Sequence, residues 1–288
     1  MKSIEEISGQ TRLVGFYANP ARHSLSPKMH NLSFSKLGID AVYLAFEVTK
    51  EALPTQIQAI RNMQMLGVNL SMPHKVAALD YVDELSPAAK IIGAINTIVN
   101  HEGKLIGHNT DGIGFMASLA ENQIDIIGQT MTIIGAGGAA TAMITQAALD
   151  GVKQIYVLNR PSSHFKTYQE KMQAIMQATN CPIEIISLED QALVYQAVNK
   201  SQLLVNATSV GMYPNVDELP IDKEVLRADL PVYDAIYHPR ETKLLKVAAA
   251  KGALTINGLG MLLHQGAAAF KLWTNQEMPV DYVKEHLF

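Results

Sequence analysis

A single cysteine, Cys181, in 288 residues leaves no partner for an intramolecular disulfide and no basis for a cysteine metal cluster. Such a chain suits a reducing compartment, and a cytoplasmic location is expected. Charged residues make up only 17% of the chain and the formal net charge is −4, which removes any bulk attraction to nucleic acid or to an anionic membrane. No apolar run reaches the roughly 18 residues that a membrane-spanning helix needs. The stretch Met1 to Gln10 has no apolar core of the kind a secretory signal carries. The nine histidines show neither H-x-x-x-H nor H-E-x-x-H spacing, so no metal site is expected. A G-x-S-x-G elbow, internal repeats and low-complexity tracts are also missing.

What is present is apolar substance. Hydrophobic residues are 48% of the chain, enough for well-packed cores, and the length allows one large domain or two of ordinary size. The most informative segment is Ile133-Ile134-Gly135-Ala136-Gly137-Gly138-Ala139-Ala140. An apolar run stops at glycines and a helix-forming stretch begins at once. That is the context in which a G-x-G-x-x-G/A loop binds a dinucleotide. Gly135 permits the tight turn, Gly137 lets backbone N–H groups approach a pyrophosphate, and Ala140 replaces the third glycine while staying small. The next strand ends in Asn159-Arg160 rather than in an acidic residue, and an arginine there suits a 2′-phosphate. NADP is therefore the expected cofactor. A tight turn of an ordinary α/β protein and a solvated Arg160 are the plainer alternatives.

Around this loop the pattern is a regular α/β series. Strands are predicted at 131–134, 154–158, 183–186, 203–206, 232–236 and 254–256, with helices at about 139–150, 164–178, 188–199 and 242–250. This is the pattern of a doubly wound parallel sheet. The first third alternates as well. Strands are expected at Leu13–Tyr17, Val42–Phe46 and Val68–Leu70, and helices at Pro27–Leu37 and Glu51–Met63. Ser26 is expected to cap the first helix and Gly38 to end it. Asn96–Val99 and Lys104–Gly107 are expected to pair as a hairpin around Glu102-Gly103. The apolar tail Met261–Trp273 has no further strand to pair with and is expected to fold back onto the N-terminal part. Two α/β domains with a ligand cleft between them follow, spanning 1–111 and 112–258, with the segment 259–288 returning to the first.

Several polar clusters punctuate this frame. Ser24 and Ser26 flank a helix N-terminus, where backbone N–H groups favour an anion such as a carboxylate; plain capping accounts for them equally. Asn69-Leu70-Ser71-Met72-Pro73-His74-Lys75 follows a short buried strand. Lys75 emerges there as a possible proton donor and acceptor, or as a solvated lysine at a helix start, with His74 as the other candidate. Asn96 offers a donor and an acceptor suited to a ligand hydroxyl. Asp111 follows Asn109-Thr110 at a helix start and at a domain junction, as a ligand or as a cap. Asn206 to Met212, Asp234 to Tyr237 and Gly258 to Gln265 lie after strands of the second half.

Taken in order along nearly the whole chain, these clusters resemble the shikimate dehydrogenase family, including its quinate/shikimate branch. The resemblance implies a Rossmann-like second domain. It implies Lys75 and Asp111 as a catalytic pair, with Ser24, Ser26, Ser71, Asn96, Asp111, Tyr237 and Gln265 holding the substrate. Gly135, Ala136, Gly137, Gly138, Ala139, Asn159, Arg160, Ala235 and Gly258 would line the cofactor. The implied reaction is the reversible NADPH-dependent reduction of 3-dehydroshikimate to shikimate, a step towards aromatic amino acids. Ser71 stands where the family usually has threonine. Pro161-Ser162-Ser163 stands where NADP-preferring members usually carry threonine and a basic residue, so NAD is a possible alternative. The other readings are a dual-specificity quinate/shikimate dehydrogenase, a non-catalytic sensor of such ligands, and a two-domain dehydrogenase for another small carboxylate or a folate. The partner is a small molecule, with a monomer or a homodimer both compatible.

Overall fold

The computed structural model describes residues 7–161, 163 and 165–287. The chain divides into two compact units, one of residues Met1–Gly114 and Leu263–Phe288, the other of Phe115–Leu262.

In the first unit the order is β1 (Arg12–Ala18), α1 (Ser26–Leu37), β2 (Ala41–Glu47), α2 (Leu53–Asn62), β3 (Gly67–Leu70), α3 (His74–Ala77), β4 (Glu84–Leu85), α4 (Pro87–Ile92), β5 (Thr97–His101) and β6 (Lys104–His108). Helix α5 (Asp111–Glu121) begins in it. The sheet runs β2-β1-β3-β5-β6-β4. The pairs β1–β2, β1–β3 and β4–β6 are parallel, whereas β3–β5 and the β5–β6 hairpin are antiparallel. Glu102 and Gly103 close that hairpin, both with positive φ, as a tight turn of this hand requires.

Helix α1 starts with Pro27 in its first turn and ends at Gly38, whose φ of 65° supplies the left-handed cap. The expected cap at its other end is corrected. Leu25 holds the N-cap position without a side-chain bond, and Ser26 is the first helical residue. Ser24 Oγ, two residues ahead, accepts from the Ser26 N–H at 3.2 Å, so the Ser26 hydroxyl is not needed as a cap.

Downstream, α10 (Leu259–Thr274) and α11 (Val280–Leu287) follow the second unit's strands. Leu263, Phe270, Trp273 and Val283 from these helices join Val14, Met29, Phe34 and Tyr43 in one buried cluster of the first unit. Large side chains buried this way each contribute about 1.5–3 kcal/mol. Trp273 Nε1 also donates to the Ile98 carbonyl at 3.0 Å. A side chain on Gly67, at φ 156°, would overlap that same carbonyl oxygen. A second cluster, including Ile57, Ile60, Val68, Ile95 and Leu105, completes the core.

The second unit contains β7 (Thr130–Ile134), α6 (Gly138–Asp150), β8 (Gln154–Asn159), α7 (Phe165–Thr179), β9 (Ile183–Ser187), α8 (Gln191–Asn199), β10 (Leu203–Asn206), β11 (Val232–Asp234), α9 (Lys243–Ala250) and β12 (Thr255–Ile256). The order β12-β11-β10-β7-β8-β9 is parallel throughout. Strands β10 and β11 are buried along their whole length, as a sheet covered on both faces demands. The order reverses between β7 and β10, and such a switch point opens a crevice at the strand ends.

Candidate functional site

In the first unit, α3 follows β3 through the turn Ser71-Met72-Pro73 and α5 follows β6. These connections bring Lys75 and Asp111 together. Lys75 Nζ donates to Asp111 Oδ2 at 2.6 Å, and Asn96 Nδ2 donates to Asp111 Oδ1 at 2.8 Å. Both carboxylate oxygens are thus held. The Asp111 side chain is 11% exposed and that of Lys75 30%, so the ammonium remains reachable while its partner is enclosed. Asn109 Oδ1 accepts from the Asp111 N–H at 3.1 Å. Asn109 therefore does the capping, and the Asp111 carboxylate is left for Lys75 and Asn96.

Asn96 is itself pinned. Its Oδ1 accepts from the Thr110 N–H at 2.8 Å, from the Thr110 hydroxyl at 3.1 Å and from the Thr97 hydroxyl at 3.0 Å. Asn69 Nδ2 donates to Thr97 Oγ1 at 3.0 Å and to the Asn96 carbonyl at 3.2 Å. Tyr43 on β2 donates its phenol proton to Asn69 Oδ1 at 2.8 Å. Burial holds the Tyr43 pKa well above its usual value. Tyr43 escaped sequence reasoning, and Thr97 and Thr110, though inside the clusters around Asn96 and Asp111, carried no assigned role there. The available signal was the polar residue in the fully buried strand β3, which obliges buried neighbours to satisfy Asn69.

Of the remaining first-unit candidates, Ser24 adjoins Ser26 through the bond already described. Ser71 is half-buried at the end of β3, where its N–H donates to the Tyr17 carbonyl at 3.0 Å. Gln265 is half-buried on α10. His74, the alternative to Lys75, is buried, and its Nε2 donates to the Val48 carbonyl at 2.8 Å; it takes no part in the Lys75 cluster.

In the second unit, Gly135 leaves β7 with φ 104°, and Gly137 holds the N-cap position of α6. A Cβ on Gly135 would lie 2.9 Å from Thr208 Cγ2, so the turn is closed against the loop after β10. Gly137 and Gly138 are different: a Cβ there would meet nothing within 4 Å. Ala136 is buried, Ala139 is exposed and Ala140 is buried against the sheet. A pocket of about 310 Å³ adjoins the loop, lined by Gly135, Asn159, Arg160, Tyr168, Thr208 and Ser209 among others. Arg160 is exposed at its edge and also borders a second pocket with Pro161. Ser162 lies outside the described residues.

Ala235 and Gly258 meet at the far strands. The Gly258 N–H donates to the Ile236 carbonyl at 3.1 Å, and a side chain on Gly258 would overlap the Ala235 carbonyl oxygen. Tyr237 follows them, exposed. Beneath lies Asp234, fully buried. Its Oδ2 accepts from Thr242 at 2.6 Å and its Oδ1 from Asn206 Nδ2 at 3.0 Å. Asn206 Oδ1 in turn accepts from the Thr208 hydroxyl at 2.7 Å. Burial lifts the Asp234 pKa to about 6 against the pull of its hydrogen bonds.

A doubly wound sheet with an open glycine loop at its switch point is the architecture of a dinucleotide-binding α/β protein, and the first unit adds a lysine–carboxylate pair of the kind that moves protons. Comparison with known proteins narrows the class. The profile described as "Shikimate dehydrogenase substrate binding domain" matches residues 16–98. "Shikimate / quinate 5-dehydrogenase" matches 118–230 and "Shikimate 5'-dehydrogenase C-terminal domain" 258–288. The shikimate dehydrogenase (NADP(+)) of Listeria innocua is 49% identical over 288 residues, covering 100% of this chain and 99% of the relative. That of Streptococcus uberis is 48% identical, covering 99% and 98%. The solved shikimate 5-dehydrogenase of Listeria monocytogenes, in complex with shikimate and NAD, superposes with a TM-score of 0.96 at 48% identity, covering 100% and 99%. The chain belongs to the shikimate dehydrogenase family. Among the described residues no helix is long and apolar enough to cross a membrane.

Proposed function

We propose that this chain is a cytoplasmic oxidoreductase that reversibly reduces 3-dehydroshikimate to shikimate with NADP(H), as a monomer or homodimer. The observation that carries the reading is the Lys75–Asp111 bond at 2.6 Å, with Asn96 on the other carboxylate oxygen. The cofactor, when bound, supplies or accepts the hydride. The unfilled space at Gly137 and Gly138, at the start of α6, fits a pyrophosphate, for which free helix N–H groups and the helix dipole are suited.

Lys75 as ammonium gives a proton to the ketone oxygen in the reductive direction, and as amine takes it back in the other. Asp111 holds Lys75 in place and accepts a hydrogen bond from a ring hydroxyl. Asn96 fixes Asp111 and belongs to the same proposed substrate set. Ser24 and Ser26 donate to the substrate carboxylate beside the start of α1. Ser71, Tyr237 and Gln265 belong to the same proposed substrate set. Arg160 takes the 2′-phosphate, and Asn159, Ala136, Ala139, Ala235 and Gly258 line the cofactor.

A second reading, use of NAD, draws on the Listeria monocytogenes relative solved with NAD. The test is turnover of shikimate and of quinate, each with NADP and with NAD, followed by the absorbance of the reduced nicotinamide. Strong turnover of shikimate with NADP supports the first reading, and faster turnover with NAD the second.

A further inference from the structure

Strand β11 ends on a side chain that its surroundings do not favour. Val232 and Tyr233 are core residues, and Asp234 after them is a fully buried carboxylate that joins no ion pair among the described residues. Burying a carboxylate is costly unless donors converge on it. Here they come from three segments. Oδ1 accepts from Asn206 Nδ2, at the end of β10, and from the Ile236 N–H, each at 3.0 Å. Oδ2 accepts from Thr242, the N-cap of α9, at 2.6 Å. Asn206 passes the hold to the loop that follows it. Its Oδ1 accepts from the Thr208 N–H at 3.1 Å and from the Thr208 hydroxyl at 2.7 Å, and its Nδ2 also donates to the Val210 carbonyl at 3.3 Å. The Thr208 oxygen accepts in turn from the Val210 N–H at 3.1 Å. Loop 206–210 is thereby folded on itself and fastened to β11. The single Thr208 hydroxyl proton is spent inward, and its methyl carbon lies against the Gly135 turn. Thr208, Ser209 and Val210 form one wall of the pocket that Gly135, Asn159 and Arg160 also line.

We propose that Asp234 is a positioning residue for the cofactor: through Asn206 it holds loop 206–210 in place as a wall of the dinucleotide pocket. The inference rests on the cofactor reading above. Asp234 does not line that pocket and acts through another side chain. Its two oxygens have different tasks. Oδ1 faces the loop through Asn206, whereas Oδ2 faces α9 through Thr242 and serves stability alone. An apolar residue at 234 would strand the Asn206 amide in the core, where water cannot replace the lost acceptor. Asn206 would turn to find another, and the bonds that Thr208 gives it would be lost. The pocket wall would then have to be ordered at the expense of cofactor binding.

The test compares Asp234→Leu, Asp234→Asn and Thr242→Val in the full chain. The dissociation constants of NADP and of NAD are measured by calorimetry without substrate, beside the melting temperature and the kinetic constants for shikimate and cofactor. Asp234→Leu is expected to raise the dissociation constant and the KM of the cofactor at least about tenfold, with kcat at saturating cofactor and the KM of shikimate within about threefold. Asp234→Asn keeps an oxygen for Asn206 and can donate its amide proton to the Thr242 oxygen, so cofactor binding is expected to stay within about threefold of the wild type. Thr242→Val removes the bond at Oδ2 and the helix cap, and is expected to lower the melting temperature while cofactor binding stays within about twofold. If Asp234→Leu does not fold, Thr208→Val keeps the side chain's shape, deletes its bonds to Asn206 and Val210, and carries the same expectation. Undiminished cofactor binding in Asp234→Leu, or in Thr208→Val in its place, overturns the proposal. So do losses of binding that follow the melting temperature across the variants. If the wild-type chain binds a cofactor but does not oxidise shikimate, the functional reading falls and the proposal is still read in binding. If it binds neither NADP nor NAD, both fall.

Discussion

Lys75 Nζ lies 2.6 Å from Asp111 Oδ2, and Asn96 Nδ2 occupies the other oxygen of the same carboxylate at 2.8 Å. A carboxylate gripped on both sides cannot rotate away from its lysine. The chain itself thus fixes the geometry of the pair. That relationship, with the open glycine loop of the second unit, sets out what is testable.

Gly137→Ala separates folding from cofactor binding. A methyl group there meets nothing within 4 Å in the chain, and the backbone at φ −72° is ordinary for alanine. Stability should be unchanged or slightly raised. The methyl group would nonetheless enter the space proposed for the pyrophosphate. The KM for NADP is expected to rise at least about tenfold, with the melting temperature held. An unchanged KM would remove the loop from the cofactor's path.

Arg160→Gln tests the 2′-phosphate assignment. Arg160 is exposed at the edge of the pocket beside Gly135 and Asn159. Losing a charge-assisted contact to a phosphate costs roughly 1.5–3 kcal/mol, or about ten- to a hundredfold in the KM for NADP. The KM for NAD is expected to stay within about twofold, because NAD has no group for the arginine to hold. Equal losses with both cofactors would show that Arg160 does not read the 2′ position.

Asp234 gives the second unit a pH dependence of unusual sign. Its folded pKa of about 6 exceeds the unfolded carboxylate value of about 3.9. The folded state then holds the proton more tightly, so stability falls as pH rises from about 4 to about 6 and is level above that window. The total is up to about 3 kcal/mol. Asp234→Asn keeps an acceptor for Asn206 and cannot ionise. Urea unfolding across this range is expected to lose that slope in the variant.

His30 acts in the opposite direction in the first unit. Among the described residues neither ring nitrogen has a hydrogen-bond partner, and burial pushes its pKa down to about 3 from 6.5. Its neutral form is stabilised by folding, so stability is fully present above about pH 6.5 and is lost as pH falls towards 3. The loss is about 1.4 kcal/mol per pH unit. His30→Leu alters absolute stability through packing, but the slope below pH 6.5 is expected to flatten by that amount. An unchanged slope would mean that His30 does not govern acid sensitivity.

Much of this architecture is legible in the residues themselves, for physical reasons. The apolar run before Gly135 reads as β7 and the small residues after Gly138 as α6, because burial on both faces of a parallel sheet leaves little freedom of composition. Gly38 ends α1 as expected, since the left-handed position favours a residue without a Cβ. The two-residue strand β4 and the four-residue helix α3 carry no readable period, and α11 lies beyond the apolar tail that drew attention. Tyr43 was not legible as a partner of Asn69, because β2 and β3 lie on either side of β1 and the two side chains meet only through the assembled sheet. The link from Tyr43 through Asn69 to Asn96 likewise depends on strand register, which pairs Asn69 with Thr97. Spacing along the chain does not encode that neighbour.

The most direct test of the central claim is the steady-state reduction of NADP by shikimate, measured for the wild type and for Lys75→Ala beside calorimetric titration of shikimate. General acid–base groups contribute about 10²–10⁴-fold to turnover. We expect kcat to fall by at least about a hundredfold in the variant, with the shikimate dissociation constant within about tenfold of the wild type. A variant that binds shikimate and turns over at near the wild-type rate would contradict the assignment of proton transfer to Lys75.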